Sequence, residues 1–389
     1  MTPTANWNYP TSVKFGVGRI KELTDHCRAA GITRPLLVTD PGLAGLAMIK
    51  DAVAANKSAG IETAVFSDIQ PNPIAANVEA GIAVFKQGKH DGVIAWGGGS
   101  AMDAAKAIAF MAGQSRPIWD FEDVGDNWTR ADAKAIQPVI AVPTTSGTGS
   151  EVGRAAVITN TDTHTKIIVF HPKMMPVTVI CDPALVAGLP PHLTAWTGMD
   201  ALAHCLEAYC APGYHPLADG IAVEGLRLIK EWLPKAVKTG SDLEARAHMM
   251  SAAAMGAAAF QKGLGAIHSL SHPAGSVYGA HHGRANAVFT PYVIAFNKPV
   301  IADKLERLAR FLGLKGNGFD AVLQWTVDLR AEFEIPHTCD ALGVKADDLP
   351  MLAKMAALDP TASCNPRPAG EAEMLALYKN AMAGKVVVG

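Results

Sequence analysis

The stretch VIAWGGGSAMDAAKAIA, residues 93–109, decides how the first half of the chain is read. An apolar run ends at three consecutive glycines, Gly97, Gly98 and Gly99, and an alanine-rich pattern with Ser100 and Asp103 near its start follows at once. That is a buried strand turning directly into a helix. A backbone without Cβ atoms at such a turn can approach a phosphate closely, and the exposed N–H groups and the helix dipole stabilise its charge. The spacing departs from the G-x-G-x-x-G fingerprint, and a tight strand-to-helix turn without a ligand would also use glycine.

Working outward, the same alternation recurs. PLLVTD (35–40) precedes a helix-like stretch to Gly60, and ETAVF (62–66) leads through PNP to a helix around AANVEAGIAVFKQG (75–88). PVIAVPTTSGTGSE (138–151) and VTVICD (177–182) close the series. Strands alternating with helices predict parallel βαβ units in a doubly wound sheet. AAVITNTDTHTKIIVF (155–170) reads instead as a hairpin appended to that sheet. After about Pro190 the strand signal fades, and Ala, Leu, Met and Glu recur at helical spacing. At 389 residues the chain exceeds what one core supports. The expectation is therefore an α/β domain over 1–188 and an all-α domain over 189–389, with a cleft between them.

In open α/β sheets ligands bind at the carboxyl ends of the strands. PTTSGTGSE follows a strand as the glycine cluster does, and its hydroxyls and glycines could line a second wall of the same crevice. Asp40, ending PLLVTD, could accept hydrogen bonds from a ribose and repel a 2′-phosphate, favouring NAD over NADP. It could equally cap the helix that follows.

Composition excludes several classes. With 49% apolar and 18% charged residues and a formal charge of −2, the chain is a well-buried globular protein with no electrostatic case for nucleic acid or an anionic membrane. The opening MTPTANWNYPTSV lacks the features of a leader, and no run reaches the ~18 apolar residues of a membrane span. The six cysteines are scattered without a framework spacing, which fits a reduced, cytoplasmic compartment. Cys205 reads as a buried, inert thiol.

The chemistry sits in two histidine-bearing segments. In TGMDALAHCLEAY (197–209) Asp200 and His204 stand four apart on one helical face. In GLGAIHSLSHPAGSVYGAHHGRAN (263–286) His268 and His272 repeat that spacing, and His281 and His282 follow in a Gly-rich turn. One carboxylate and two or three imidazoles from separate segments suit a divalent first-row metal with a position left open. The spare imidazoles would orient ligands or relay protons.

Together VKFGVGRI, GGGSAMDAAK, PTTSGTGSE, GMDALAHCLEAY, GLGAIHSLSH, HHGRANA and NPRP resemble the iron-containing (group III) alcohol dehydrogenases nearly end to end. The resemblance implies a dehydroquinate synthase-like fold and metal-dependent, NAD-linked interconversion of a small primary alcohol and its aldehyde. It implies Asp200, His204, His268 and His282 as ligands of Fe2+, with Zn2+ possible, and His272 as the unligated proton relay. For NAD it implies Asp40, Asn72, Gly97, Gly98, Gly99, Ser100, Asp103, Thr144, Thr145, Thr148 and Lys166. It implies a homodimer or larger homo-oligomer. Lys262 replaces a smaller polar residue of several relatives and bears on the charge at the site. Glycerol dehydrogenases, maleylacetate reductases and dehydroquinate synthases share the fold; the full Asp-His-His-His set and the few basic residues nearby argue against them.

Overall fold

The computed structural model describes residues 11–316 and 318–388. The opening stretch 1–10, part of the segment read above for a leader, lies outside them. The described chain forms two compact units, one of residues 11–189 and 240–250, the other of residues 190–239, 251–316 and 318–388.

The first unit carries β1 (Ser12–Phe15), α1 (Leu23–Ala29), β2 (Pro35–Val38), α2 (Pro41–Ala44), α3 (Ala47–Ser58) and β3 (Ala64–Phe66). It continues through α4 (Ala75–Gln87), β4 (Gly92–Gly97), α5 (Gly99–Met111), β5 (Val139–Pro143), β6 (Ala155–Asn160), β7 (Thr165–Phe170) and β8 (Thr178–Cys181). Six strands make one parallel sheet in the order β1-β8-β5-β4-β2-β3. Every residue of β2, β4 and β5 is buried, which is why these strands read as continuous apolar runs: helices cover both faces. Leu37, Ile94 and Ile140 stand in register across the centre and share a core with Trp96, Val142 and Ile180. Fully burying each such side chain contributes about 1.5–3 kcal/mol.

From β2 the chain moves outward to β3, whereas from β4 it moves the other way to β5. The reversal lies between β2 and β4, so the crevice that such sheets offer to ligands opens beyond Val38 and Gly97, where Asp40 leads into α2. β6 and β7 form a separate antiparallel pair, the hairpin that the sequence predicts. β1 is a strand that the sequence reading left out. It pairs with β8 at the sheet edge, and only one of its four residues is even half-buried, so it shows no apolar run.

The second unit is helical: α6 (Pro191–Cys210), α7 (Pro216–Lys238), the later turns of α8 (Leu243–Ala259), α9 (Ala266–Tyr278), α10 (His282–Leu312), α11 (Gly318–Glu332), α12 (Leu349–Leu358) and α13 (Glu371–Ala383). α6 is buried along nearly its whole length, and α7, α9 and α10 pack around it or one another. Among the described residues no helix is long and apolar enough to cross a membrane.

Candidate functional site

Asp200, His204 and Glu207 occupy one face of α6, at i, i+4 and i+7. α9 brings His268 to that face and α10 brings His282. His282 is the first residue of the 31-residue α10, not part of the turn that precedes it. The next residue explains how closely α10 approaches. A Cβ on Gly283 would lie 2.2 Å from the carbonyl oxygen of Trp196, so only glycine lets the two helix backbones meet here.

The result is a convergent donor set. One nitrogen or oxygen from each of Asp200, His204, His268 and His282 lies within 4.8 Å of every other. From Asp200 Oδ1 the Nε2 atoms of His282, His204 and His268 stand at 3.5, 3.8 and 4.0 Å. Ligands in a tetrahedron at about 2.1 Å from an ion are ~3.4 Å apart, so the cluster fits a divalent ion with slight contraction. The Asn286 amide reports the same electrostatics. Its Nδ2 donates to Asp200 Oδ1 at 2.7 Å and lies 3.2 Å from both His268 Nε2 and His282 Nε2, a neutral donor group facing three atoms that can accept. Asp200, His204 and His268 are 1–4% exposed, while the His282 side chain keeps 23%, which marks the side left accessible.

Two residues that the sequence reading missed anchor α9. Glu207 Oε2 meets His268 Nδ1 at 2.5 Å, and Oε1 accepts from the Ile267 N–H at 2.7 Å. Asn365, of the NPRP motif, accepts from the Ala266 N–H at 3.1 Å. The first N–H groups of the helix, which have no partner within it, are thus satisfied while His268 is oriented. Burial alone would lower the His268 pKa, but Glu207, Asp200 and Asp359 hold it above the ordinary range. The spacing of Glu207 from Asp200 and His204 was the available signal.

His272 follows on the same helix and stacks on His282, with ring centroids 5.4 Å apart. Its Nδ1 meets Asp359 Oδ2 at 2.7 Å, and Asp359 Oδ1 accepts from the Thr361 N–H and hydroxyl. Burial would raise the Asp359 carboxyl, but His272 and Thr361 hold it below the usual carboxylate range. Lys262 is not a free charge: its buried ammonium pairs with Asp219 and donates to the Tyr209 carbonyl. Cys205 is buried, its thiol pushed up to about 12, as an inert core residue should be.

Of the expected dinucleotide residues, Asp40 and Gly97 lie beside the reversal in the sheet. Asp40 caps α2, its Oδ1 accepting from the Leu43 N–H at 3.1 Å, while a Cβ on Gly97 would lie 3.4 Å from its Oδ2. The two possible roles are thus compatible. The Thr144 N–H donates to the Gly97 carbonyl at 3.0 Å, and Cβ atoms on Gly98 and Gly99 would come within 3.1 and 2.7 Å of the Thr145 and Thr148 methyls. The two loops therefore form one surface that Ser100 adjoins. Asn72 has φ +55°, and its loop reaches the hairpin where the Thr159 N–H donates to the Pro73 carbonyl at 2.7 Å. Thr159 is also the cross-strand partner of Lys166, so the Asn72 loop meets the hairpin at the position opposite Lys166. Asp103 differs from the others, since its oxygens accept from the Ser150 hydroxyl and the Val157 N–H.

Comparison with known proteins places this architecture. Residues 10–183 match the family model for iron-containing alcohol dehydrogenase, and residues 194–382 that for the C-terminal part of the Fe-containing alcohol dehydrogenase family. The chain is 39% identical to a 4-hydroxybutyrate dehydrogenase of Cupriavidus necator, covering 96% of this chain and 99% of that one. It is 37% identical to an NAD-dependent methanol dehydrogenase of Bacillus methanolicus, covering 97% and 100%. The crystal structure of a 1,3-propanediol oxidoreductase superposes with a TM-score of 0.92 at 34% identity, covering 97% and 100%.

Proposed function

The chain belongs to the iron-containing alcohol dehydrogenase family, and from that premise we propose that it interconverts a small primary alcohol and its aldehyde, with NAD as hydride carrier and Fe2+ or Zn2+ as resident ion. It is an NAD-dependent oxidoreductase, and the glycerol dehydrogenase, maleylacetate reductase and lyase readings are not favoured. The observation that carries the reading is the convergence of Asp200, His204, His268 and His282 on one point. The named relatives above act on 4-hydroxybutyrate, methanol and 1,3-propanediol, each bearing a primary alcohol.

Asp200, His204, His268 and His282 would hold the ion. Bound there, it supplies Lewis acidity that lowers the pKa of an alcohol and polarises an aldehyde carbonyl. Glu207 fixes the His268 ring. His272, held at Nδ1 by Asp359, keeps Nε2 for exchanging a proton with the substrate oxygen or with water. Residues 1–188 bind the dinucleotide, through Asp40 and Asn72 for the adenosine, Gly97–Ser100 with Asp103 at the pyrophosphate turn, and Thr144, Thr145, Thr148 and Lys166 on the facing wall. Residues 189–389 carry the metal and the chemistry. With Lys262 neutralised by Asp219, that lysine supplies no free charge for an anionic substrate. The six cysteines are free, which supports a cytoplasmic setting, and the family suggests a homodimer or larger homo-oligomer.

The test is NAD reduction across short primary alcohols, diols and hydroxy acids, using protein reconstituted anaerobically with Fe(II) or Zn(II). Absence of reduction with every alcohol in metal-loaded protein would refute the assignment.

A further inference from the structure

We propose that the segment 359–367 is a splint that fixes α9 against α10, locked by the side-chain pair of Asn297 and Asn365, so that both asparagines set metal affinity by positioning His268 and His282. The proposal rests on the reading that these two histidines hold the ion.

The segment runs antiparallel to α9 and grips it once per turn. Asp359 holds His272, the Thr361 and Ser269 hydroxyls stand 2.9 Å apart, and Asn365 Oδ1 accepts from the Ala266 N–H. Positions 266, 269 and 272 recur every third residue, so the three contacts line one stripe of the helix. At its C-terminal end the segment turns to α10. Arg367 Nη1 donates to the Phe296 carbonyl at 2.6 Å, and its guanidinium lies 4.1 Å from the centre of the Phe296 ring. Beside it the two asparagines exchange hydrogen bonds: Asn297 Nδ2 donates to Asn365 Oδ1 at 3.0 Å, and Asn365 Nδ2 to Asn297 Oδ1 at 2.9 Å. α9 carries His268 and α10 carries His282, so the segment joins the two helices whose relative placement sets the spacing of those imidazoles.

Every hydrogen-bonding position of Asn365 is used. A carboxamide offers two lone pairs and two N–H bonds. Asn365 Oδ1 is shared between Ala266 and Asn297, and the second N–H of Nδ2 donates to the Arg367 carbonyl at 2.6 Å. Asn297 and Asn365 are 4% and 6% exposed. Two apolar side chains of similar size would be buried at less cost. What only the amides add is direction, because each fixes the angle and distance of the other. Gly265 shows how tight the joint is: a Cβ there would lie 2.9 Å from both Asn365 Oδ1 and Glu207 Oε1, so both acceptors reach the start of α9 through a gap that glycine leaves. A buried amide network with every group satisfied specifies one arrangement. Metal donors held in advance at the spacing an ion needs bind it with less reorganisation.

The experiment compares wild type, Asn297→Ala, Asn365→Asp and the double variant. Asn365→Asp keeps the acceptor for Ala266 but loses both donors, and its carboxylate opposes Asn297 Oδ1. Affinity is read by titrating each metal-free protein with Co(II) against a chromophoric chelator, and ligand geometry by the visible d–d bands of the Co(II) protein. Backbone exchange over 266–272 is followed by mass spectrometry, with circular dichroism as the check on folding. We expect Co(II) affinity to fall on the order of tenfold in each single variant, the lower end for residues that support metal ligands. The d–d bands should shift and exchange should quicken. The double variant should lose no more than the worse single one, since either change already breaks the pair. A folded variant with Co(II) affinity within twofold of wild type would overturn the proposal. So would weaker binding with unshifted bands, which a merely loosened fold would give, and so would losses that add in the double variant. If Asn365→Asp does not fold, Asn297→Ala decides alone. If wild type binds no Co(II), the metal assignment falls, while exchange over 266–272 still judges the splint.

Discussion

Glu207→Gln isolates what a carboxylate behind a metal-binding imidazole contributes. The substitution keeps the volume, and the new amide oxygen can still accept from the Ile267 N–H, so α9 stays capped. The amide nitrogen must then face His268 Nδ1, formerly 2.5 Å from a carboxylate oxygen. An N–H donor opposed to an N–H donor in a buried place is untenable, and His268 answers by moving its proton to Nε2. That nitrogen is the one aimed at Asp200 Oδ1 and Asn286, so the proton occupies the lone pair an ion would take. Loss of such supporting carboxylates costs ~10–100-fold in metal affinity, or about 1.4–2.8 kcal/mol. With both partners nearly inaccessible to water, the upper half of that range is expected. The assay is titration of metal-free protein with Zn(II) or Co(II) against a chromophoric chelator, with circular dichroism as the check on folding. A folded Glu207→Gln that binds metal within twofold of wild type would refute the tautomer argument.

Asp40→Gly should improve NADP use relative to NAD by removing the carboxylate at the strand end, while the lost cap costs only a few tenths of a kcal/mol; a wild type already more efficient with NADP would contradict this. His272→Ala should retain its metal but lose roughly 10²-fold in turnover with an altered pH profile. Metal loss would make His272 a ligand, and an unchanged profile would make it a packing residue. Glu151 is buried and its carboxyl is pushed up from 4.5 to about 7, so the folded state binds its proton more tightly than the unfolded chain does. Its stabilising contribution is therefore full below about pH 4.5 and is lost as pH rises to about 7. Glu151→Gln should gain on the order of 1–3 kcal/mol over wild type at pH 8 relative to pH 5, read from denaturant melts; equal differences at the two pH values would contradict it.

The parts of the molecule legible in the sequence are those whose signal is local. β4, the glycine turn and α5 are consecutive, and the Asp200 to His204 spacing places both on one face without knowledge of any other helix. β1 was illegible because an exposed, four-residue edge strand carries no apolar run. Glu207 and Asn365 act only through the docking of α9, a tertiary fact that spacing does not record, and Asp359 meets His272 across 87 positions of chain. His282 looked like part of a turn because Gly279, Ala280 and Gly283 surround it. The glycine after it serves the close approach of α10 to Trp196 instead.

The four donors come from three helices that begin 91 residues apart at most, since α6 starts at Pro191 and α10 at His282. The unfolded chain therefore offers an ion no comparable place, and free metal pulls on the folding equilibrium by mass action. Metal at a hundred times its dissociation constant adds about 2.7 kcal/mol to the folded state. The melting temperature of this enzyme then becomes a gauge of free divalent metal, moving with chelator and supply while every residue stays the same.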